Sequence, residues 1–113
     1  SIIKMEWLYH VAYFFGGLFL TNAIPHFVTG LMGRPFQTPF AHPSGVGLST
    51  STLNVVWAFI NLVLGYVLVC QVGNFDLRSW ADAITLGLAL LLGGLFTAWN
   101  FGRINGGNNP EDR

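Results

Sequence analysis

Only 9% of the 113 residues are charged and 52% are hydrophobic; ordinary globular domains carry about 25% charge. Ten charges cannot cover the apolar surface of a soluble chain of this size. The formal net charge is zero, so electrostatics point to no nucleic-acid partner.

In chain order, a short polar lead, Ser1 to Glu6, carries Lys4 and Glu6. The first apolar run follows, from Trp7 to about Thr29, without a Lys, Arg, Asp or Glu. A helix rises about 1.5 Å per residue, so roughly 20 residues cross a hydrocarbon core of roughly 30 Å. The run is too long for the apolar region of a secretory signal, roughly 7 to 15 residues. It predicts a transmembrane helix over 7–29. Pro25 falls in its last two turns and should kink it, freeing a carbonyl near Thr21.

Leu31 to Thr52 is the least ordinary segment. Pro35, Pro39 and Pro43 come at intervals of four, with Gly33, Gly45 and Gly47 around them. No helix survives that pattern. Arg34 is its only charge, and Phe36 and Phe40 are large and apolar, so disorder is not expected either. The segment predicts an ordered Pro/Gly-rich loop at the membrane surface. Gly45-Val46-Gly47 lacks the lysine and glycine pattern of a phosphate loop.

Ser49 to Thr52 offer several N-caps for a second helix over 53–72, which Gly73-Asn74 should end. A connector with Asp76, Arg78 and Asp82 leads to the third helix, 80–101, capped by Ser79 with Asp82 three residues on. Its run from Ala83 to Phe101 is again free of charge. Gly102 should end it, and the Gly- and Asn-rich tail, 103–113, should be mobile.

The reading is therefore all-α: a single domain, 1–113, of three transmembrane helices and no sheet. Three crossings place Trp7 and Trp80 at one membrane face and Trp57 and Trp99 at the other, as an aromatic belt. A bacterial-type inner membrane is expected. Counting Lys and Arg leans by one charge to a cytoplasmic C-terminus.

No carboxylate lies within a predicted helix core, which argues against acid–base pairs, nucleophilic triads and intramembrane proton relays. No catalytic residue is assigned. Cys70 stands alone, so no intrachain disulfide and no CxxC motif exist. His10 and His26 are roughly 24 Å apart along one helix and cannot share a metal within a chain. No metal set is assigned, and the cofactor is unknown.

The informative residues are uncharged. Asn22 and His26 lie near the exit of helix one, Asn54 and Asn61 in the first half of helix two, and Asn100 near the exit of helix three. Arg103 follows just beyond, and the loop adds His42. Three-helix topology brings these to one side. Asn22, His26, Asn54 and Asn100 are expected to form one connected cluster, because an unpaired amide in hydrocarbon is costly. Such a cluster either bonds across helices and anchors the loop, or lines a ligand pocket.

The helices also carry rows of small residues: Asn54, Ala58, Asn61 and Gly65 on helix two, Ala89, Gly93 and Thr97 with Gly94 and Ala98 on helix three, and Gly16-Gly17 on helix one. Such rows let backbones approach. The leading expectation is a non-catalytic small membrane subunit that packs with other transmembrane chains, in a larger hetero-complex or a homo-oligomer, and with membrane lipid, with room in the reading for a bound lipid or pigment. One alternative is a homo-oligomeric pore or carrier lined by Asn54, Asn61 and Asn100. Another is a haem-, quinone- or tetrapyrrole-binding module using His26.

Overall fold

The computed structural model describes residues 2–112 and is mostly helical. Its elements are α1 (Ile2–Leu31), β1 (Phe36–Gln37), β2 (Leu48–Ser49), α2 (Ser51–Tyr66) continued by a π-helical turn (Val67–Gln71), α3 (Trp80–Asn105), and a final 3-10 turn (Pro110–Asp112). Three helical stretches, Met5–Leu31, Ser51–Gln71 and Trp80–Asn105, are long and apolar enough to cross a membrane.

Each helix end has an identifiable cause. α1 runs without interruption through Pro25. It stops in a Schellman arrangement: Gly33 N–H donates to Gly30 O (3.0 Å) and Arg34 N–H to Thr29 O (3.0 Å). Gly33 takes φ +73°, which an L side chain rarely adopts. Thr50 caps α2 by accepting from Leu53 N–H, and Ser79 caps α3 by accepting from Asp82 N–H. α3 runs past Gly102 and ends at Gly106, φ +83°. Gly102 was the expected stop, but its open side receives the Asn108 side chain instead. Residues 103–105 thus belong to the helix.

A two-stranded antiparallel ladder pairs Phe36 with Ser49 and Gln37 with Leu48, where no strand was expected. Two residues per strand carry no readable alternation, so the sequence pattern conceals it. The ladder closes the base of the α1–α2 connection. Within it Gly45 N–H donates to Thr38 O (2.9 Å), Gly47 N–H to Pro43 O (2.8 Å) and Ser44 Oγ to Pro39 O (2.7 Å). The His42–Pro43 peptide is cis.

α1 is the shared spine. α2 and α3 each pack along it and barely meet one another. The buried residues of α2 are Asn54, Ala58, Asn61 and Gly65, the stripe read from spacing. Glycines set the two crossings. A Cβ on Gly16 would lie 2.7 Å from Val69 Cγ2 and 3.0 Å from Gly65 O. One on Gly17 would lie 2.6 Å from Ala89 Cβ. At the connector end a Cβ on Gly73 would strike the Tyr13 hydroxyl and the Tyr9 ring.

These contacts predict that Gly16→Val and Gly17→Val each lower stability by about 1–3 kcal/mol through overpacking. Gly94→Val, where an added Cβ meets nothing within 4 Å, should stay within about 0.5 kcal/mol. Reversible unfolding in mixed micelles, followed by circular dichroism, measures all three.

Candidate polar site at the loop end

The loop end gathers the last turns of α1 and α3, the first turns of α2 and the β1–β2 ladder. Its centre is Asn54, which is 0% exposed. Asn54 Nδ2 faces three carbonyls: Phe36 O (3.2 Å), Ser49 O (3.2 Å) and Thr50 O (3.0 Å). An amide has two N–H donors, so the three acceptors share them. The opposite amide assignment would set Oδ1 against three carbonyl oxygens, so the orientation is forced. Asn54 thereby ties both strands of the ladder to the start of α2.

The remaining Asn54 atom, Oδ1, is 2.7 Å from His26 Nδ1. Oδ1 can only accept, so His26 Nδ1 carries the proton of this bond. In the neutral ring Nε2 then holds a lone pair. His26 is 2% exposed. Its ring meets Phe36 and Phe101 edge-on, with centroids 5.4 and 6.1 Å away. Phe36 in turn lies 4.6 Å from Phe101, so the loop is seated on α3 as well as on α2. Phe40, more than half exposed, sets its ring at right angles to Trp57 at 5.0 Å.

A second bonded pair lies deeper. Asn22 Nδ2 donates to Asn61 Oδ1 (3.1 Å), and Asn61 Nδ2 donates to Trp57 O (2.8 Å). Asn100 belongs to neither pair: its Oδ1 accepts from Arg103 Nη2 (2.9 Å). The expected single network is thus two cross-helix bonds between α1 and α2 and one local bond on α3. Asn22, His26 and Asn100 nevertheless share the wall of one cavity of about 160 Å³, with Gln37, Thr38 and Trp57 among its other walls. Asn54 stands behind His26 and not on that wall.

Two expected members lie apart. His42 is exposed on the loop and lines no part of the cavity. Arg103 is exposed; it serves Asn100 and stacks its guanidinium 5.1 Å from the Trp99 ring centre. Other participants were missed in the sequence. Gln37 and Asn105 exchange two bonds (2.8 and 3.1 Å) that fasten β1 to the end of α3. Thr38 bonds Ser49 through their hydroxyls. Trp57 Nε1 is buried and has no partner among the described residues. Its position between Asn54 and Asn61 on the same helix was the available signal. For Gln37 and Thr38, 68 and 11 residues from their partners, there was none.

The connector end holds a pair that spacing also concealed. His10 Nδ1 lies 2.9 Å from Glu6 O, and Nε2 lies 3.1 Å from Asp82 Oδ1. That is an ion-pair distance, yet the alignment is too poor for a hydrogen bond, and Nε2 is otherwise buried without a partner. We read the contact as electrostatic proximity and not as a directed bond. Asp82 Oδ2 accepts from Asp76 N–H (2.9 Å), so the carboxylate also folds the connector onto the start of α3.

Comparison with family models, curated proteins and solved structures returns no match. The site is therefore read from its own geometry.

Removing the Asn54 amide takes their side-chain partner from the His26 N–H and from the Phe36 and Ser49 carbonyls, while Thr50 O keeps the backbone N–H of residue 54. Asn54→Leu should lower stability by about 2–4 kcal/mol and loosen the loop, seen as faster proteolysis between Arg34 and Thr50. His42→Ala, on the exposed part of the same loop, should change stability by less than about 0.5 kcal/mol.

Proposed function

We propose that this chain is a non-catalytic integral membrane subunit, a single domain that packs against other transmembrane chains and is surrounded elsewhere by lipid. The observation that carries this reading is a pair of glycines on α3 with no intrachain purpose. Gly16, Gly17, Gly65 and Gly93 all sit where a neighbouring helix comes too close for a Cβ. Gly87 and Gly94, two turns apart on one stripe, meet nothing within 4 Å. A glycine inside a helix costs about 1 kcal/mol relative to alanine. In a bilayer, small surface residues let a second helix approach.

The rest of the surface fits a bilayer. Large apolar side chains such as Leu91, Leu95 and Phe96 are more than half exposed on α3. Trp7 and Trp80 are exposed at one end of the molecule and Trp99 at the other, in the places an interfacial belt requires. The Pro-rich connection then lies at one membrane surface. A pore between copies draws less support. Asn54 and Asn61, at 0% and 1% exposed, turn inward to α1 and are engaged there.

Cysteines introduced at Ser44 and Ser79 should be labelled from opposite sides of the membrane. Native mass spectrometry from nanodiscs should find the chain in a hetero-complex of fixed stoichiometry. Gly87→Leu with Gly94→Leu should release it while its helix content is retained. A solitary chain, or a closed ring of identical chains, counts against the subunit reading.

A further inference from the structure

We propose that the cavity beside His26 binds a hydroquinone ring, with the hydrocarbon tail of that molecule lying in the adjoining groove between α1 and α3. Three polar side chains on its wall, His26, Asn22 and Asn100, each have one hydrogen-bonding atom engaged within the chain and one left over. Nδ1 of His26 is held by Asn54, which is not on the cavity wall. The ring edge left to line the cavity therefore carries Nε2 and its lone pair, an acceptor. This is the arrangement by which a buried second-ring-nitrogen bond fixes a histidine tautomer for a ligand. Trp57 contributes ring to the wall, while its Nε1 is closed off from a water-sized probe. Asn22 uses Nδ2 on Asn61 and offers Oδ1; Asn100 uses Oδ1 on Arg103 and offers Nδ2. The cavity wall thus offers two acceptors and one amide donor.

Size and shape narrow the occupant. The cavity holds about 160 Å³, and a protein cavity of about 150 Å³ accepts one benzene ring. Its wall includes the aromatic rings of Trp57, Phe101 and His26. Asn22, Asn100 and Phe101 also border a groove of about 500 Å³ whose other walls include Phe14, Leu18, Leu92 and Phe96. One aromatic ring, hydroxyls that both donate and accept, and an apolar tail describe an alkyl hydroquinone. A diol or alcohol headgroup matches the hydrogen bonds but not the aromatic walls. The inference concerns binding alone. It depends on the bilayer reading only for the tail, and the labelling of Ser44 and Ser79 tests that reading separately.

The test is a titration of the intact chain in micelles with decylhydroquinone, followed by the Trp57 indole N–H and by nitrogen NMR of His26. Trp57→Phe identifies the indole signal. The expected result is a saturable shift of both groups, with the dimethyl ether of the same compound binding about tenfold more weakly because it cannot donate to Nε2. The comparison uses one folded protein, so no variant need survive it. His26→Phe, which keeps a ring and removes the acceptor, should abolish the discrimination where it folds. Equal affinity for the ether overturns the role of His26. Equal shifts with decanol overturn the choice of ring, and absence of a saturable shift at either group leaves a cavity for water only and overturns the proposal.

Discussion

The bond between His26 and Asn54 is the constraint on which the loop end depends. Asn54 closes its own amide on three backbone carbonyls, two of them from the strands of the β1–β2 ladder. That leaves one oxygen, which selects the protonated nitrogen of His26. One side chain therefore sets the docking of the loop, the contact of α1 with α2 and the tautomer of a buried imidazole. A buried, fully satisfied network of this kind specifies one arrangement, because any partial version leaves polar atoms without partners. Phe36 shows the consequence: its carbonyl belongs to Asn54, while its ring fills the space between His26 and Phe101.

Packing along α1 supplies the frame for that network. Apolar side chains gain nothing from association when their surroundings are as apolar as they are, so close contact and hydrogen bonds must hold such helices together. Here the close contact comes from Gly16 and Gly65 on one crossing and from Gly17 and Ala89 on the other. The hydrogen bonds come from Asn22–Asn61 and His26–Asn54, both across α1 and α2. α3 has no cross-helix polar bond of its own to α1 among the described residues. It is tied instead at its two ends: to the ladder by Gln37–Asn105, and to the first turns of α1 by the approach of Asp82 to His10. α3 is thus held by its ends and by the Gly17 and Gly93 contacts, with one face left free. That free face is where the proposed partner would lie.

The two ends of the molecule differ in chemistry. The loop end is built from amides, one imidazole and aromatic rings, with Arg34 and Arg103 exposed beside them. The connector end holds the buried carboxylate Asp82 beside His10, Tyr13 and the Ser79 cap. Asp82 read in isolation is only the third residue of a capped helix. Its second role arises because α1 begins alongside α3, which brings His10 to it.

The three helices, the cap of α3 at Ser79, a hydroxyl cap for α2 somewhere in Ser49 to Thr52, the stripe of α2 and the side on which the amides gather were legible in the amino-acid sequence alone. These follow from local rules: apolar length, hydroxyl caps and a periodicity of three to four residues. Bounds were less legible where a tertiary contact overrides a local signal. Gly102 reads as a stop, yet the helix continues to Asn105 because Asn105 pairs with Gln37 and Gly106 supplies the positive φ. Which polar groups bond and which remain free follows from packing in three dimensions. Three-helix topology places Asn22, His26, Asn54 and Asn100 at one end, but hydrogen-bond partners depend on helix rotation to within a fraction of a turn. That rotation is set by Gly16 and Gly17 meeting α2 and α3, an event between residues 49 and 72 positions apart. Spacing along a chain carries no record of it, so the lone pair of His26 and the unpartnered Trp57 indole became visible only in three dimensions.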